Sequence, residues 1–323
     1  MSLTEEQHRL LYRIAQAYYV DELTQREIAE RFGLSRPKVS RLLQKGREQG
    51  IINITLVPPH GGLTDLEREL EQEFCLEEVV VASATNPQSL TAVTRELGPP
   101  GANCLVRSLH GDEIVGLSWG TTLLAVVDAL PTQSWPEMKV VQMLGGLGSP
   151  EAETHGADLT YRMAEAFGAR PRLLPSPGIV PGKEVRDALL ADSQVADTLD
   201  LAARADIAVV GIGAPIPGSV VARTGAITPQ VLDQLKARGA VGDIALHFID
   251  ADGQPVEHEI NDRVVALDLE RIKQIPRVIG VAGGPEKFHV IRAALRGKLV
   301  DVLVTDAGTA RALLAEALVE RGD

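Results

Sequence analysis

Residues 23–50 read LTQREIAERFGLSRPKVSRLLQKGREQG. Thr24 stands three residues before Glu27. In that spacing a threonine hydroxyl and a glutamate carboxylate close the first turn of a helix reciprocally. Ile28, Ala29 and Phe32 then recur on one face. Gly33 takes the left-handed conformation that ends a helix without steric cost, and Leu34 can fold back over the end as an apolar plug. Ser35 is the predicted cap of a second helix, with Pro37 in the first turn, where its missing N–H is harmless. Val39, Leu42 and Leu43 form the apolar stripe of that helix, and Leu10, Leu11, Ile14, Ala15 and Tyr18 mark a supporting helix upstream.

A supporting helix followed by two helices joined through a tight glycine turn is the helix-turn-helix arrangement. From Arg31 to Arg47 the chain has six basic side chains and no acid. The second helix of such a motif enters the major groove, its N-terminal side chains toward base edges. Ser35, Arg36, Lys38, Ser40 and Arg41 hold those positions here, Lys45 follows one turn on, and Gln25 at the start of the preceding helix is a candidate phosphate contact. Arginine matches guanine O6 and N7 bidentately, whereas lysine and serine more often hold phosphate. A small bundle with a solvated basic face is the bland reading of a charge run alone. The capping box, the glycine turn and two phased stripes coincide with the basic face, so double-stranded DNA is the expected partner. Downstream, GIINITLV (50–57) alternates like a short strand, a possible wing, and PPHGG (58–62) reads as a linker.

Charge divides the chain in the same place. The net charge is −12, yet residues 1–57 carry +2 and the remainder −14. A unit that approaches a polyanion is thereby separated from an acidic one. The expected organisation is a DNA-binding unit over 1–57, the linker over 58–62 and a large domain over 63–323. Aromatic residues are only 3% of the chain, so aliphatic side chains must fill the core. Cys75 and Cys104 form neither a paired metal motif nor a disulfide framework. The amino end, MSLTEEQHRL, lacks the pattern of a signal peptide, and no apolar run reaches membrane-spanning length. A cytoplasmic protein without membrane contact is expected.

Beyond residue 63, strand-like runs (EEVVVAS, EIVGLSW, KVVQML, DIAVVGIG, AVGDIALHFID, RVIGVAGG, LVDVLVTD) alternate with helical segments at 63–74, 121–130, 158–167, 228–237, 287–296 and 309–319. Alternation of this kind predicts a doubly wound α/β domain with a mainly parallel sheet. DADGQPV is a predicted turn between antiparallel strands. Ligands of such sheets sit at the carboxyl ends of the strands. There GLSWGTTL places Gly120, Thr121 and Thr122 at a helix start, where N–H groups and two hydroxyls make an anion cradle. QMLGGLG and GIGAP are further strand-to-loop turns, the first with Gly145 and Gly146. VAGGPEKFHVIRAAL places Lys287 at a helix start, against the helix dipole, an arrangement a bound phosphate would explain. Each glycine turn alone has a plain steric reading. Asp243, His247 and Asp250, with Asn261, Asp262 and Arg263, are candidates for sugar hydroxyls, though His247 reads more readily as a structural histidine and Asp250 as a turn residue. No spacing among the seven histidines suggests a metal, and neither metal nor cofactor is expected.

Taken together, these residues resemble the SorC family of bacterial sugar-responsive transcriptional regulators. The resemblance runs along essentially the whole chain, from YYVDELTQREIAERFGLSRPKVSRLLQKGREQGII through GLSWGTT, QMLGGLG, ADIAVVGIGAP, GAVGDIALHFIDADGQPV and NDRVVAL to RVIGVAGGPEKFHVIRAALRGKLVDVLVTDAGTARALL. It implies an effector domain related to ribose-phosphate isomerases and glucosamine-phosphate deaminases. It also implies a phosphorylated sugar effector gripped by Gly120, Thr121, Thr122 and Lys287, and a homodimer or homotetramer. Members often have Ala-Asn where this chain has Ala157-Asp158, and often arginine where His247 stands, two positions expected near the sugar. A sugar-phosphate isomerase or deaminase carrying a DNA-binding head is the alternative reading, with Asp243 or Asp262 as its base.

Overall fold

The computed structural model describes residues 5–52, 63–147, 156–216 and 219–321. It divides into two compact units, Met1–Pro59 and His60–Asp323. Most of the predicted wing and the whole predicted linker lie outside the described residues.

The first unit holds helices α1 (Glu5–Tyr19), α2 (Gln25–Phe32) and α3 (Arg36–Glu48). The capping box of α2 forms in full: the Thr24 hydroxyl accepts from the Glu27 N–H at 3.3 Å, and the Thr24 N–H donates to the Glu27 carboxylate at 2.8 Å. Those two bonds hold the Glu27 carboxyl below its usual titration range. Gly33 ends α2 at φ 65°, and the Leu34 N–H returns to the Ala29 carbonyl at 2.8 Å. Ser35 occupies the cap position of α3, but its hydroxyl makes no capping bond. Pro37 already removes one of the donors such a cap would serve. Ile14, Ala17, Ile28, Ala29, Val39 and Leu43 form a small closed core, which is why the two stripes were phased as they are.

The second unit is built on a sheet whose strands, in chain order, are β1 (Glu78–Ala82), β2 (Ile114–Leu117), β3 (Lys139–Gln142), β4 (Arg170–Arg172), β5 (Ile207–Gly213), β6 (Gly242–Ile244), β7 (His247–Ile249), β8 (Val278–Val281) and β9 (Val302–Asp306). Among the described residues the parallel order is β1-β9-β8-β5-β2-β3-β4, with β6 and β7 added antiparallel off the end of β5. β8 and β9 are buried along their whole length, as unbroken aliphatic runs in the middle of a covered sheet must be. One large core joins the sheet to its helices.

Both edges of the sheet are blocked. The Glu71 and Glu67 carboxylates, one helical turn apart on Leu63–Phe74, accept the N–H groups of Val79 and Val81, each at 2.9 Å. These two residues are alternate positions on the edge strand β1, so a helix spacing of four meets a strand spacing of two. At the other edge the Arg170 N–H bonds inward to Met138 at 3.0 Å, and Pro171 stands next in the strand, with no N–H to present outward.

Several elements differ from the sequence expectation. AVGDIALHFID is a hairpin rather than one strand, because Ala245 (φ 50°) and Leu246 (φ 68°) turn the chain between β6 and β7. Two successive left-handed residues are the signature of a two-residue hairpin turn, a role usually marked by Asn-Gly. Here the Leu246 N–H is held by the Asp243 carboxylate at 3.2 Å. DADGQPV does form a turn, with the Asp250 carboxylate accepting from the Asp252 and Gln254 N–H groups, but the return segment contributes only an isolated bridge, Ile249 to Pro255. Helices Leu90–Glu96, Gly98–Arg107, Lys183–Leu190 and Ser193–Ala202 add to those expected. Gly98-Pro-Pro reads as a loop, yet prolines are accommodated in the first turn of a helix. Among the described residues no helix is long and apolar enough to cross a membrane.

Candidate functional site

In the second unit, β2 and β5 lie side by side. From β2 the chain winds toward β3, and from β5 it winds through the hairpin toward β8. The carboxyl ends of β2 and β5 therefore open a crevice at the point where the winding reverses, the place such sheets bind ligands. Ser118 ties the two ends: its N–H donates to Val209 and its hydroxyl accepts from the Gly211 N–H, both at 3.0 Å. The resulting cleft has a volume of about 100 Å³.

The helix Thr121–Asp128 starts at this crevice. Gly120 precedes it at φ 135°, a backbone state glycine alone adopts readily. The first backbone bond of the helix runs from the Leu124 N–H to the Gly120 carbonyl at 2.9 Å, so the N–H groups before it belong to the exposed positive end of the dipole. Across from it, the loop after β8 carries Lys287. Gly284 turns that loop at φ 95°. Its N–H is held by the Asp306 carboxylate at 2.8 Å and by the Thr309 hydroxyl at 3.0 Å. Asp306, buried at the end of β9, also accepts from the N–H groups of Gly308 (2.9 Å) and Thr309 (3.1 Å) and from the Thr309 hydroxyl (2.5 Å). With its loop pinned in this way, Lys287 Nζ comes to 3.4 Å from the buried Thr122 hydroxyl.

Asp243 completes the charged end of the cleft. A Cβ on Gly213 would stand 2.3 Å from Asp243 Oδ1, so glycine there is what admits the carboxylate. Asp243 and Lys287 are each half-buried taken whole, but their charged ends lie in the cleft and desolvation governs both. Burial pushes the Asp243 carboxyl up to about 6, opposed by the Leu246 N–H and the Lys287 charge. Burial pulls the Lys287 ammonium down to about 8, opposed by Asp243 and Glu286. Near neutral pH the cleft thus presents one cation and one anion, each close to losing its charge. Two displaced titrations in one cleft mark a candidate site.

The cleft gathers Gly120, Thr121, Thr122, Asp243 and Lys287 of the expected effector residues. The other five do not line it. The Gly145 N–H bonds to Val265 and its carbonyl accepts from the Trp119 indole, while Gly146 pairs with Ser176 and Gly178. These two glycines let the chain cross the 176–178 segment at backbone contact: a Cβ on Gly145 would stand 2.4 Å from the Pro177 carbonyl carbon. Asp158, half-exposed in the first turn of Gly156–Phe167, faces Arg162 at 3.7 Å. The His247 Nε2 donates to the Leu267 carbonyl at 3.1 Å, and burial lowers its titration, the behaviour of a neutral structural histidine. Asp262 is exposed and faces Arg186 at 3.8 Å, while Asn261 braces the hairpin through Phe248 and Val256. The cleft also takes in Trp119, Leu144, Ile212, Ile216, Val220 and Leu246, which the sequence reading did not single out as site residues. Their only sequence signal is that most follow β2, β5 or β6 directly.

In the first unit, Ser35, Arg36, Lys38, Ser40, Arg41 and Lys45 are all exposed on α3, whose opposite face is buried through Val39 and Leu43. Gln25 and Arg36 line one concavity with Thr24 and Arg26, at the N-terminus of α2. Arg31 is drawn away from this face: it pairs with Asp21 at 3.6 Å and lies over the Phe32 ring at 5.8 Å.

Comparison with known proteins agrees with this division. Residues 59–315 match the Sugar-bind family of sugar-binding domains, and residues 1–61 match the MarR family. The Deoxyribonucleoside regulator of Bacillus subtilis (strain 168) is 33% identical over 97% of this chain and 99% of its own length. The Transcriptional regulator LsrR of Klebsiella pneumoniae is 35% identical over 98% of this chain and 95% of its own. The crystal structure of the full-length Sorbitol Operon Regulator SorC from Klebsiella pneumoniae superposes with a TM-score of 0.73 at 32% identity, covering 96% of this chain and all of that one. With an exposed basic helix in one unit, a crevice at the sheet's switch point in the other, and kinship along nearly its full length, the chain belongs to the SorC family of transcriptional regulators.

Proposed function

We propose that this protein regulates transcription of a carbohydrate-metabolism operon, and that a phosphorylated sugar bound in the β2/β5 cleft controls its hold on operator DNA. The observation that carries the effector reading is the convergence of Lys287, Thr122 and the start of the helix Thr121–Asp128 in one cleft. A cation, a hydroxyl and a positive helix end in one place suit a phosphate. Asp243 beside them suits a sugar hydroxyl. On the DNA side, Arg36 and Arg41 read base edges, while Gln25, Ser35, Lys38, Ser40 and Lys45 hold the backbone. Heads of a homodimer or homotetramer would meet two half-sites of a pseudo-palindromic operator. The effector can act only through a difference in affinity between two arrangements, and a coupling of about 1–3 kcal/mol changes operator affinity about 5- to 150-fold.

The test is an operator-binding assay run against a panel of phosphorylated sugars, with Lys287→Ala beside the natural chain. The reading requires one sugar phosphate to change operator affinity, and Lys287→Ala to lose that response while binding DNA normally without effector. A response that survives Lys287→Ala would sink it. An enzymatic reading draws on Asp243, whose carboxyl titrates near neutrality as a general base does. The relatives are regulators, and we hold that this protein is not an enzyme. Steady turnover of a sugar phosphate by the purified protein would reverse that.

A further inference from the structure

The polar side chains of the cleft are concentrated at its phosphate end. Thr121, Thr122 and Lys287 form that end, with Asp243 beside them. Among the described lining residues two further side chains carry hydroxyls, and both are engaged by backbone: Ser118 accepts from the Gly211 N–H at 3.0 Å, and Ser219 caps the helix Val220–Arg223 by accepting from the Ala222 N–H at 3.3 Å. The indole N–H of Trp119 is spent on the Gly145 carbonyl. The rest of the described wall is hydrocarbon, chiefly Leu144, Ile212, Ile216, Val220 and Leu246. A sugar hydroxyl placed against such a wall gives up its hydrogen bonds to water and gains none in return.

We infer that the effector is a phosphorylated compound poor in hydroxyls, a deoxy sugar or short-chain skeleton. Asp243 receives its one well-placed hydroxyl, and its carbon flank lies on Leu144, Ile212, Ile216, Val220 and Leu246. The inference rests on the phosphate reading above and narrows it. Each additional hydroxyl weakens binding about tenfold. An apolar wall rejects an added hydroxyl by no more than about a hundredfold, so the preference is graded rather than absolute.

The experiment is calorimetric titration of the full chain with matched pairs differing by one hydroxyl: 2-deoxyribose 5-phosphate against ribose 5-phosphate, and 2-deoxyglucose 6-phosphate against glucose 6-phosphate. Inorganic phosphate serves as the probe of the phosphate end alone. The expected result is that the deoxy member of at least one pair binds about tenfold or more tightly than its partner, and more tightly than inorganic phosphate. Val220→Thr, which offers a hydroxyl at nearly constant volume, should narrow that gap. If the hydroxylated members bind as well or better, with all binding still abolished by Lys287→Ala, the inference is overturned and the phosphate reading stands. Pairs that bind no more tightly than inorganic phosphate overturn it equally. If no compound binds, inorganic phosphate included, or if binding is indifferent to Lys287→Ala, the phosphate reading falls and takes the inference with it.

Discussion

The Lys287 ammonium lies 3.4 Å from the Thr122 hydroxyl, joining two loops that are 165 residues apart in the chain. Neither partner has a purely structural reason to be there. Lys287 opposes the dipole of the helix it caps, and burial strips it of solvation. Its place is explained by what it would hold.

A pH dependence follows from its titration. In the ligand-free protein Lys287 loses its proton near pH 8, against a model value of 10.5. A bound anion favours the ammonium, so effector binding should take up a proton around pH 8, and affinity should fall as pH rises through that value. Calorimetry in buffers of different ionisation enthalpy reads the uptake directly. Ligand-free stability shows the opposite sign: the unfolded chain binds the extra proton, so the Lys287 contribution rises from about pH 8 toward 10.5. Asp243 contributes the mirror case, with stability lost as pH rises from 3.8 through about 6. Lys287→Met should push the Asp243 titration higher still, since the ammonium that lowers it is gone.

Gly213→Ala is the mildest way to disturb the site. The added methyl would overlap Asp243 Oδ1, 2.3 Å away, while leaving Asp243 itself in the sequence. Effector affinity should drop by about tenfold or more, with effector-free operator binding retained. Fluorescence anisotropy on an operator duplex, with and without effector, checks both halves.

Asp306 never touches the cleft lining, yet it fixes the loop that delivers Lys287. Asp306→Ala leaves the buried N–H groups of Gly284 and Thr309 without their acceptor, a loss of about 3 kcal/mol. Thermal unfolding should show it, together with a weakened effector response. Asp306→Asn keeps one acceptor oxygen and should recover part of each.

On the DNA side, Arg36→Ala and Arg41→Ala should each weaken operator binding by about 1–3 kcal/mol and relax sequence preference. Lys38→Ala and Lys45→Ala should instead lower affinity for all duplexes and reduce the salt slope by about one. Operator and random duplexes titrated across a salt series separate the two classes.

The first unit was legible because everything that shapes it is local. Thr24, Glu27, Gly33 and the stripe of Ile28, Val39 and Leu43 act within a turn or two of one another, and each appears where the pattern put it. The Ser35 hydroxyl is the exception: the cap position was readable, the bond was not. The parallel sheet was legible from alternation, and Lys287 from its odd place at a helix start. The β6–β7 hairpin was not, because Ala245 and Leu246 carry no turn signal and are held left-handed by tertiary contacts such as the Asp243 carboxylate. Gly145, Gly146 and His247 sit in suggestive strings but are used to let segments cross or to brace a carbonyl. The apolar wall of the cleft escaped reading for a simpler reason: Ile216 and Val220 look like any other aliphatic residues until the fold turns them toward a ligand.

Glu67 and Glu71 have a further consequence, because they occupy the very donors of β1 that another strand would need, while Pro171 denies a donor at the far margin. Sheet growth from molecule to molecule is closed at both ends. Copies of this protein that come together must do so through side chains on helices and loops. Such contacts part and re-form without unzipping backbone, as befits a protein whose assembly has to answer to a small molecule.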